Sequence, residues 1–156
     1  MARKNNSSNK IFPQSGVIPY RIKDGKVEVL LVTSRNRQSW VIPKGGISKG
    51  MTQYHSAAKE AWEEAGVIGI VENEIIGTYK YRKNGNIYQV NLFLLSVDRE
   101  LEDWPEATER ERQWLDVKTA CKLVKQNSLK KLIAISISHI EIIDYSPFSA
   151  EMCLAY

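Results

Sequence analysis

Cysteine and histidine are scarce in this 156-residue chain, with two of each. Cys121 and Cys153 have neither the spacing of metal ligands nor the number that a disulfide framework needs, so both are expected to stay reduced. His55 and His139 stand singly and read as structural or exposed residues. No apolar run is long enough to cross a bilayer, and the opening "MARKNNSSNK" lacks the apolar core of a signal peptide. A cytoplasmic location without a membrane partner is therefore expected. Internal repeats and low-complexity segments are also missing, which excludes solenoids and fibrous classes.

The composition is that of an ordinary globular chain, 43% apolar and 26% charged, far from the disordered signature. Its length suits one domain, expected at residues 12–145 between a polar, basic tail at 1–11 and a C-terminal tail at 146–156. A net charge of +4 favours anionic partners such as phosphates. Arg3, Lys4 and Lys10 lie in the first tail, and nucleic acid held by that tail alone would bind weakly and with strong salt dependence. The chain is compatible with a monomer.

Two hairpins are legible. "SGVIPYRI" and "KVEVLLVTS" flank Lys23-Asp24-Gly25, while "IIGTYKYR" and "NIYQVNLFLLSV" flank Asn84-Gly85. Between them, Tyr54, Ala57, Ala58, Ala61 and Ala65 recur at helical spacing from a Thr52 cap to a Gly66 stop. "ERQWLDV" suggests a short strand, followed by a short helix from about Asp116 and a longer one capped by Ser128. Strands mixed with three helices indicate an α/β sandwich.

The first helix carries an unusual face. At 100° per residue, Glu60, Glu63 and Glu64 fall within a wedge of about 100°, apart from the alanines. Such a face is either solvated, with Lys59 pairing with Glu63 at i,i+4, or a set of hard oxygen donors suited to Mg²⁺ or Mn²⁺. Gly45 and Gly46, just upstream, can bring main-chain groups close to a ligand.

The stretch "GGISKGMTQYHSAAKEAWEEAGV" resembles the Nudix box, G-x5-E-x7-R-E-U-x-E-E-x-G-U, with Gly45, Glu60, Ala61, Glu63, Glu64, Gly66 and Val67 in register. The resemblance implies a Nudix-type α/β/α sandwich with a mixed sheet between helices, and hydrolysis of a diphosphate linked to another moiety. In family terms Glu60, Glu63 and Glu64 are the catalytic residues and hold Mg²⁺, for which Mn²⁺ can substitute, and the carbonyl near Lys44 or Gly45 completes the metal shell. Met51 and Lys59 depart from the pattern's Glu and Arg. They read as a compensated swap, with Met51 packing the loop and Lys59 lending charge near Glu63.

Outside the box, "VIPKGG" and "LEDWPEATERERQW" resemble the branch that cleaves diphosphoinositol polyphosphates and diadenosine polyphosphates. That resemblance implies a small polyphosphate substrate, with Arg35, Lys44, Gly46, Arg82 and Arg112 binding it. Arg110 reads as a surface partner of Glu106 or Glu109. Glu106, Glu109 and Glu111 lie where some members carry a further carboxylate. Trp40, Trp104 and Trp114 read as packing residues, and one of Tyr79, Tyr81 and Tyr88 is expected to face the pocket. The alternatives are a hydrolase of RNA 5′ ends or nucleoside-diphosphate derivatives, and a non-catalytic Nudix module that senses a nucleotide or polyphosphate.

Overall fold

The computed structural model describes residues 10–144, with side chains described through residue 140. The 146–156 tail, Cys153 and most of the 1–11 tail lie outside the described residues. Ile11, expected in the tail, instead begins the first strand.

The elements run β1 (Ile11–Lys23), β2 (Lys26–Thr33), β3 (Trp40–Val41), β4 (Lys44–Gly46), α1 (Gln53–Glu60), a π-helical turn (Ala61–Ala65), β5 (Val67–Val71), β6 (Gly77–Lys83), β7 (Asn86–Glu100), β8 (Arg112–Asp116), α2 (Val117–Leu123) and α3 (Asn127–Asp144). Both hairpins form where the turn dipeptides stand, and Asp24 and Asn84 take positive φ there, as type I′ turns require. Asp116 caps α2 by accepting from Thr119 N at 2.9 Å. The last helix begins at Asn127, so Ser128 lies inside its first turn rather than at its cap.

Among the described residues, eight strands join one mixed sheet in the order β3-β2-β1-β7-β5, with β4 on β1, β6 on β7 and β8 on β2. β1 runs parallel to β7 over Ile11–Tyr20 and antiparallel to β2 and β4. Because side chains alternate across a strand, β1 sends Val17 to one core and Ile18 to another. Val17 packs with Leu30, Val32, Phe93 and the alanines Ala57, Ala61 and Ala65. Ile18 packs with Val29, Leu31, Leu92 and Leu94 against Ala120, Leu129 and Ile133 of the other helices. Three layers result, helix on sheet on helices. The alanines let α1 approach the sheet closely, so its acidic edge is carried along the end of β4.

Candidate active site

Thr52 opens α1 by accepting a hydrogen bond from His55 N at 3.2 Å. Sequence periodicity extends this helix unbroken to Gly66. The chain instead widens after Glu60 into an i→i+5 turn over Ala61–Ala65, which Gly66 ends in the left-handed region at φ +64°. Such turns are rare and recur at functional sites. Their step per residue is smaller than in an α-helix, so Glu63 and Glu64 are rotated away from the positions that α geometry assigns.

The loop before the helix is stitched to it at several points. Lys44 N donates to Glu64 Oε2 at 3.3 Å, Ser48 N donates to the buried Ser56 Oγ at 3.0 Å, and Lys59 Nζ reaches Ser48 Oγ at 3.4 Å. Lys59 also pairs with Glu63 at 3.5 Å. Met51 remains exposed at 39%. The expectation that Met51 packs the loop is corrected: Met51 stands exposed, and two serines and Lys59 make the bonds that hold the loop.

The three glutamates do not close on one point. Among the described residues, no three Asp, Glu, His or Cys side chains form a ready cluster for a metal ion. Glu63 leans to Lys59, while Glu64 is buried and pairs through Oε1 with Arg110 at 3.3 Å. Burial pushes the Glu64 carboxyl up to about 7 despite the opposing charges of Arg110 and Lys44. Desolvation therefore outweighs pairing here. The convergence expected from an ideal helical wedge is thus corrected by the wider turn and by the pull of Arg110.

The donor set nevertheless suits a hard divalent cation. All three side chains offer carboxylate oxygens. A Cβ on Gly45 would collide with the Glu60 carboxylate, so the missing side chain is what lets that carboxylate lie against the loop backbone. Burial, and then the neighbouring charges of Glu63 and Glu106, push the Glu60 pKa up, a repulsion that a bound cation relieves.

Around Lys44, on the side of the sheet that faces α2 and α3, opens a cavity of about 580 Å³ whose lining includes Arg35, Lys44, Arg82, Lys83 and Lys125 and no Asp or Glu. Three of the expected substrate-binding residues, Arg35, Lys44 and Arg82, are thereby brought together. Two are not. Gly46 lies on β4 outside the lining, with open space around it. Arg112 is absent from the lining as well: its Nη1 donates to Ala65 O at 2.9 Å and its Nη2 to Leu101 O at 2.6 Å. Its guanidinium lies over Trp104 at 4.0 Å.

Of the three tyrosines considered, both Tyr79 and Tyr81 line the cavity, because they lie two apart on one face of β6. The Tyr81 ring stacks on Tyr88 at 5.1 Å, and Lys44 Nζ sits 5.0 Å from its centroid. Burial pushes the Tyr81 phenol up to about 12 and the Lys44 ammonium down. The hydroxyl of Tyr81 donates to Gln14 Oε1 at 2.7 Å.

The cavity and the acidic helix are joined by a chain of ion pairs. Arg35 meets Glu106 at 2.8 Å, Glu106 meets Arg110 at 3.5 Å, and Arg110 meets Glu64. Arg110, expected at the surface, is 8% exposed and also donates to Thr33 O at 3.0 Å. Its burial and the place of Lys125 in the α2–α3 connection follow from tertiary packing and have no local sequence signal. The serine pair could have been suspected from one hydroxyl residue inside a Gly-rich loop and another in the first turn of the helix that follows.

A family model described as NUDIX domain matches residues 13–134. The chain is 36% identical over 140 residues to "Nudix hydrolase 12, mitochondrial" of Arabidopsis thaliana, covering 76% of this chain and 69% of that protein. It is 32% identical over 101 residues to "Diphosphoinositol polyphosphate phosphohydrolase 3-alpha" of Mus musculus, covering 63% and 60%. Its fold is similar to the crystal structure of a C. elegans Ap4A hydrolase, with TM-score 0.70 at 21% identity, over 84% of this chain and 99% of that one.

Proposed function

This chain belongs to the Nudix family and is a Nudix hydrolase, and on that premise we propose that it cleaves a diphosphate linkage in a substrate bearing many phosphates, with Mg²⁺ as cofactor and Mn²⁺ able to substitute. The observation that carries this reading is the cavity with five cationic side chains and no carboxylate in its lining, linked to the glutamate helix through Lys44, whose amide donates to Glu64. Each added phosphate brings negative charge, and arginine can grip phosphate with two parallel bonds where lysine acts as a point charge.

Glu60, Glu63, Glu64 and a carbonyl of the Lys44–Gly46 strand would hold the cation. When bound, the ion supplies neutralisation of the diphosphate charge and a more acidic water. The chain's own groups do the rest. Burial raises the Glu64 carboxyl when no cation is present, and a neighbouring divalent charge would restore the carboxylate form that hard-cation ligation needs. Arg110 fixes its orientation through Oε1 and Lys44 N through Oε2. Lys44, whose ammonium is disfavoured by burial, gains most when an anion enters the cavity beside it.

Diphosphoinositol polyphosphates and diadenosine polyphosphates are the two substrate classes proposed. Among the aromatic side chains of the lining, Tyr81 is covered by Tyr88 and Lys44 and Tyr79 is buried, which leaves Trp40 as the ring that would meet a base of the second class. The test is a panel of both classes with nucleoside triphosphates, ADP-ribose and 5′-triphosphate RNA, with Mg²⁺ or with EDTA, and products resolved by chromatography. Cleavage of substrates with four or more phosphates, abolished by EDTA, is expected. Binding of the same compounds without turnover under any divalent cation would replace this reading with that of a sensor.

A further inference from the structure

The end of a helix leaves its last carbonyls without partners inside the helix. Here the carbonyls of Glu63, Glu64, Ala65 and Gly66 are all satisfied by one segment, residues 101–112. Glu106 N donates to Glu63 O at 3.0 Å and Leu101 N to Gly66 O at 2.8 Å. Trp104 Nε1 donates to Glu64 O at 3.1 Å. Arg112 Nη1 reaches both Ala65 O at 2.9 Å and Gly66 O at 3.4 Å. Two side chains thus serve three of the four carbonyls, and they also brace each other, the guanidinium lying 4.0 Å from the Trp104 ring. A Cβ on Gly66 would come within 2.7 Å of both residues, so the glycine makes room for the pair.

These carbonyls belong to the residues of the π turn and its terminus, and the side chains of the same residues include two of the three glutamates. A guanidinium at a helix C-terminus is favoured by the negative end of the helix dipole. Arg112 is tied down by Glu100 at 3.1 Å and by Leu101 O, so it cannot swing into the cavity without giving up its partners. An i→i+5 turn is uncommon enough to need holding. Rewinding Ala61–Ala65 to α geometry would rotate Glu64 by an angle on the order of tens of degrees away from Arg110.

We propose that Trp104 and Arg112 are positioning residues: they hold the π turn open and thereby set the directions of the Glu63 and Glu64 carboxylates. The inference rests on the reading that these glutamates do the chemistry, and it gives Arg112 a role other than contact with substrate phosphate.

The test compares Arg112→Met, which keeps an unbranched stem, Arg112→Lys, which keeps the cation, and Trp104→Phe, which keeps a ring without the indole N–H. Ile133→Val, on α3 in the core of the opposite face of the sheet, serves as a control for lost stability. Hydrogen exchange of the amides at 61–67 and Mn²⁺ affinity by calorimetry are read first, since neither needs turnover. Arg112→Met and Trp104→Phe should speed exchange at 61–67 by about tenfold or more, leave β1 and β7 protected, and weaken Mn²⁺. Their kcat should fall about tenfold to a hundredfold with KM unchanged and equally for short and long phosphate chains, and Arg112→Lys should recover part of both effects. Where the methionine variant fails to fold, the lysine and phenylalanine variants carry the same comparison. Unchanged exchange at 61–67 in the variants overturns the proposal, as does a KM that rises with phosphate number. If wild type turns over no substrate, the hydrolase reading fails, and the exchange result alone still decides the role of the pair.

Discussion

Replacing Glu64 by glutamine should make the metal-free protein more stable while destroying its activity. Glu64 is 6% exposed, and burial raises its carboxyl from an ordinary value of 4.5 to about 7. A carboxyl raised in the folded state binds its proton more tightly there than in the unfolded chain. Its contribution to stability is therefore full below about pH 4.5 and is lost as pH rises through about 7. The difference between those two values corresponds to about 3 kcal/mol. Glutamine resembles the protonated acid in shape and charge, so it removes this penalty. Breaking the Arg110 contact opposes the gain, but the attraction of Arg110 is already included in the net upward shift. Urea unfolding in EDTA should show the two proteins equally stable near pH 4.5, and the glutamine variant ahead by about 3 kcal/mol at pH 8. Adding Mg²⁺ should narrow the gap by stabilising only wild type. A variant less stable than wild type at pH 8 in EDTA, or a difference that does not change with pH, would refute the reasoning, because burial would then not govern Glu64.

Two further outcomes follow from the same geometry. Arg35→Ala and Lys125→Ala should each raise KM for substrates of four or more phosphates by a factor of about five at low salt, from about 1 kcal/mol per exposed charge contact, with a smaller effect in 0.5 M salt; steady-state kinetics across phosphate number and salt checks this, and a salt-independent KM would speak against a cationic rim. Ser56→Ala strands the Ser48 N–H beneath the loop and should cost about 1–3 kcal/mol, whereas Met51→Ala should stay within about 0.5 kcal/mol, as read by denaturation, and a larger loss at Met51 would reinstate it as the packing residue of the loop.

Legibility in the sequence stops where a residue's partner lies in another element. The turn dipeptides Asp24-Gly25 and Asn84-Gly85, the Thr52 cap and the alanine spacing all act within a few residues, and each stands where local chemistry puts it. The short strands β3 and β4 have no alternation to betray them and exist only because β2 and β1 offer backbone partners. The acidic residues of the helix were legible as a carboxylate face, but their directions were not. A periodicity of 3.6 assumes an α-helix, and the π turn exists with its terminal carbonyls held by residues some forty positions downstream. Arg110 and Arg112 illustrate the same limit. Both occur in a charged stretch that reads as surface or substrate-facing, yet one is buried against Glu64 and the other stacks on Trp104.

The site is accordingly a tertiary construction on a locally specified helix. Its upstream fastening comes from β4, which exists only once it pairs with β1, and its downstream fastening comes from the 101–112 segment, delivered between β7 and β8. Neither can act before strands distant in sequence have paired, which requires loop closure before any contact is gained. The helix itself can form early, with its carboxylates spread in water at no great cost. Burying Glu64 against Arg110 and crowding Glu60 beside Glu63 and Glu106 are unfavourable steps, which become possible only when the surrounding sheet fixes the loops. The departure from the family's Glu and Arg at Met51 and Lys59 fits this order. A charge pair across the loop is not needed to hold it when Ser48 is bonded to Ser56 through its amide and to Lys59 through its hydroxyl. Lysine, with three rotatable donors, can serve both Ser48 and Glu63, so the loop is fastened through the residue that also balances one of the glutamates.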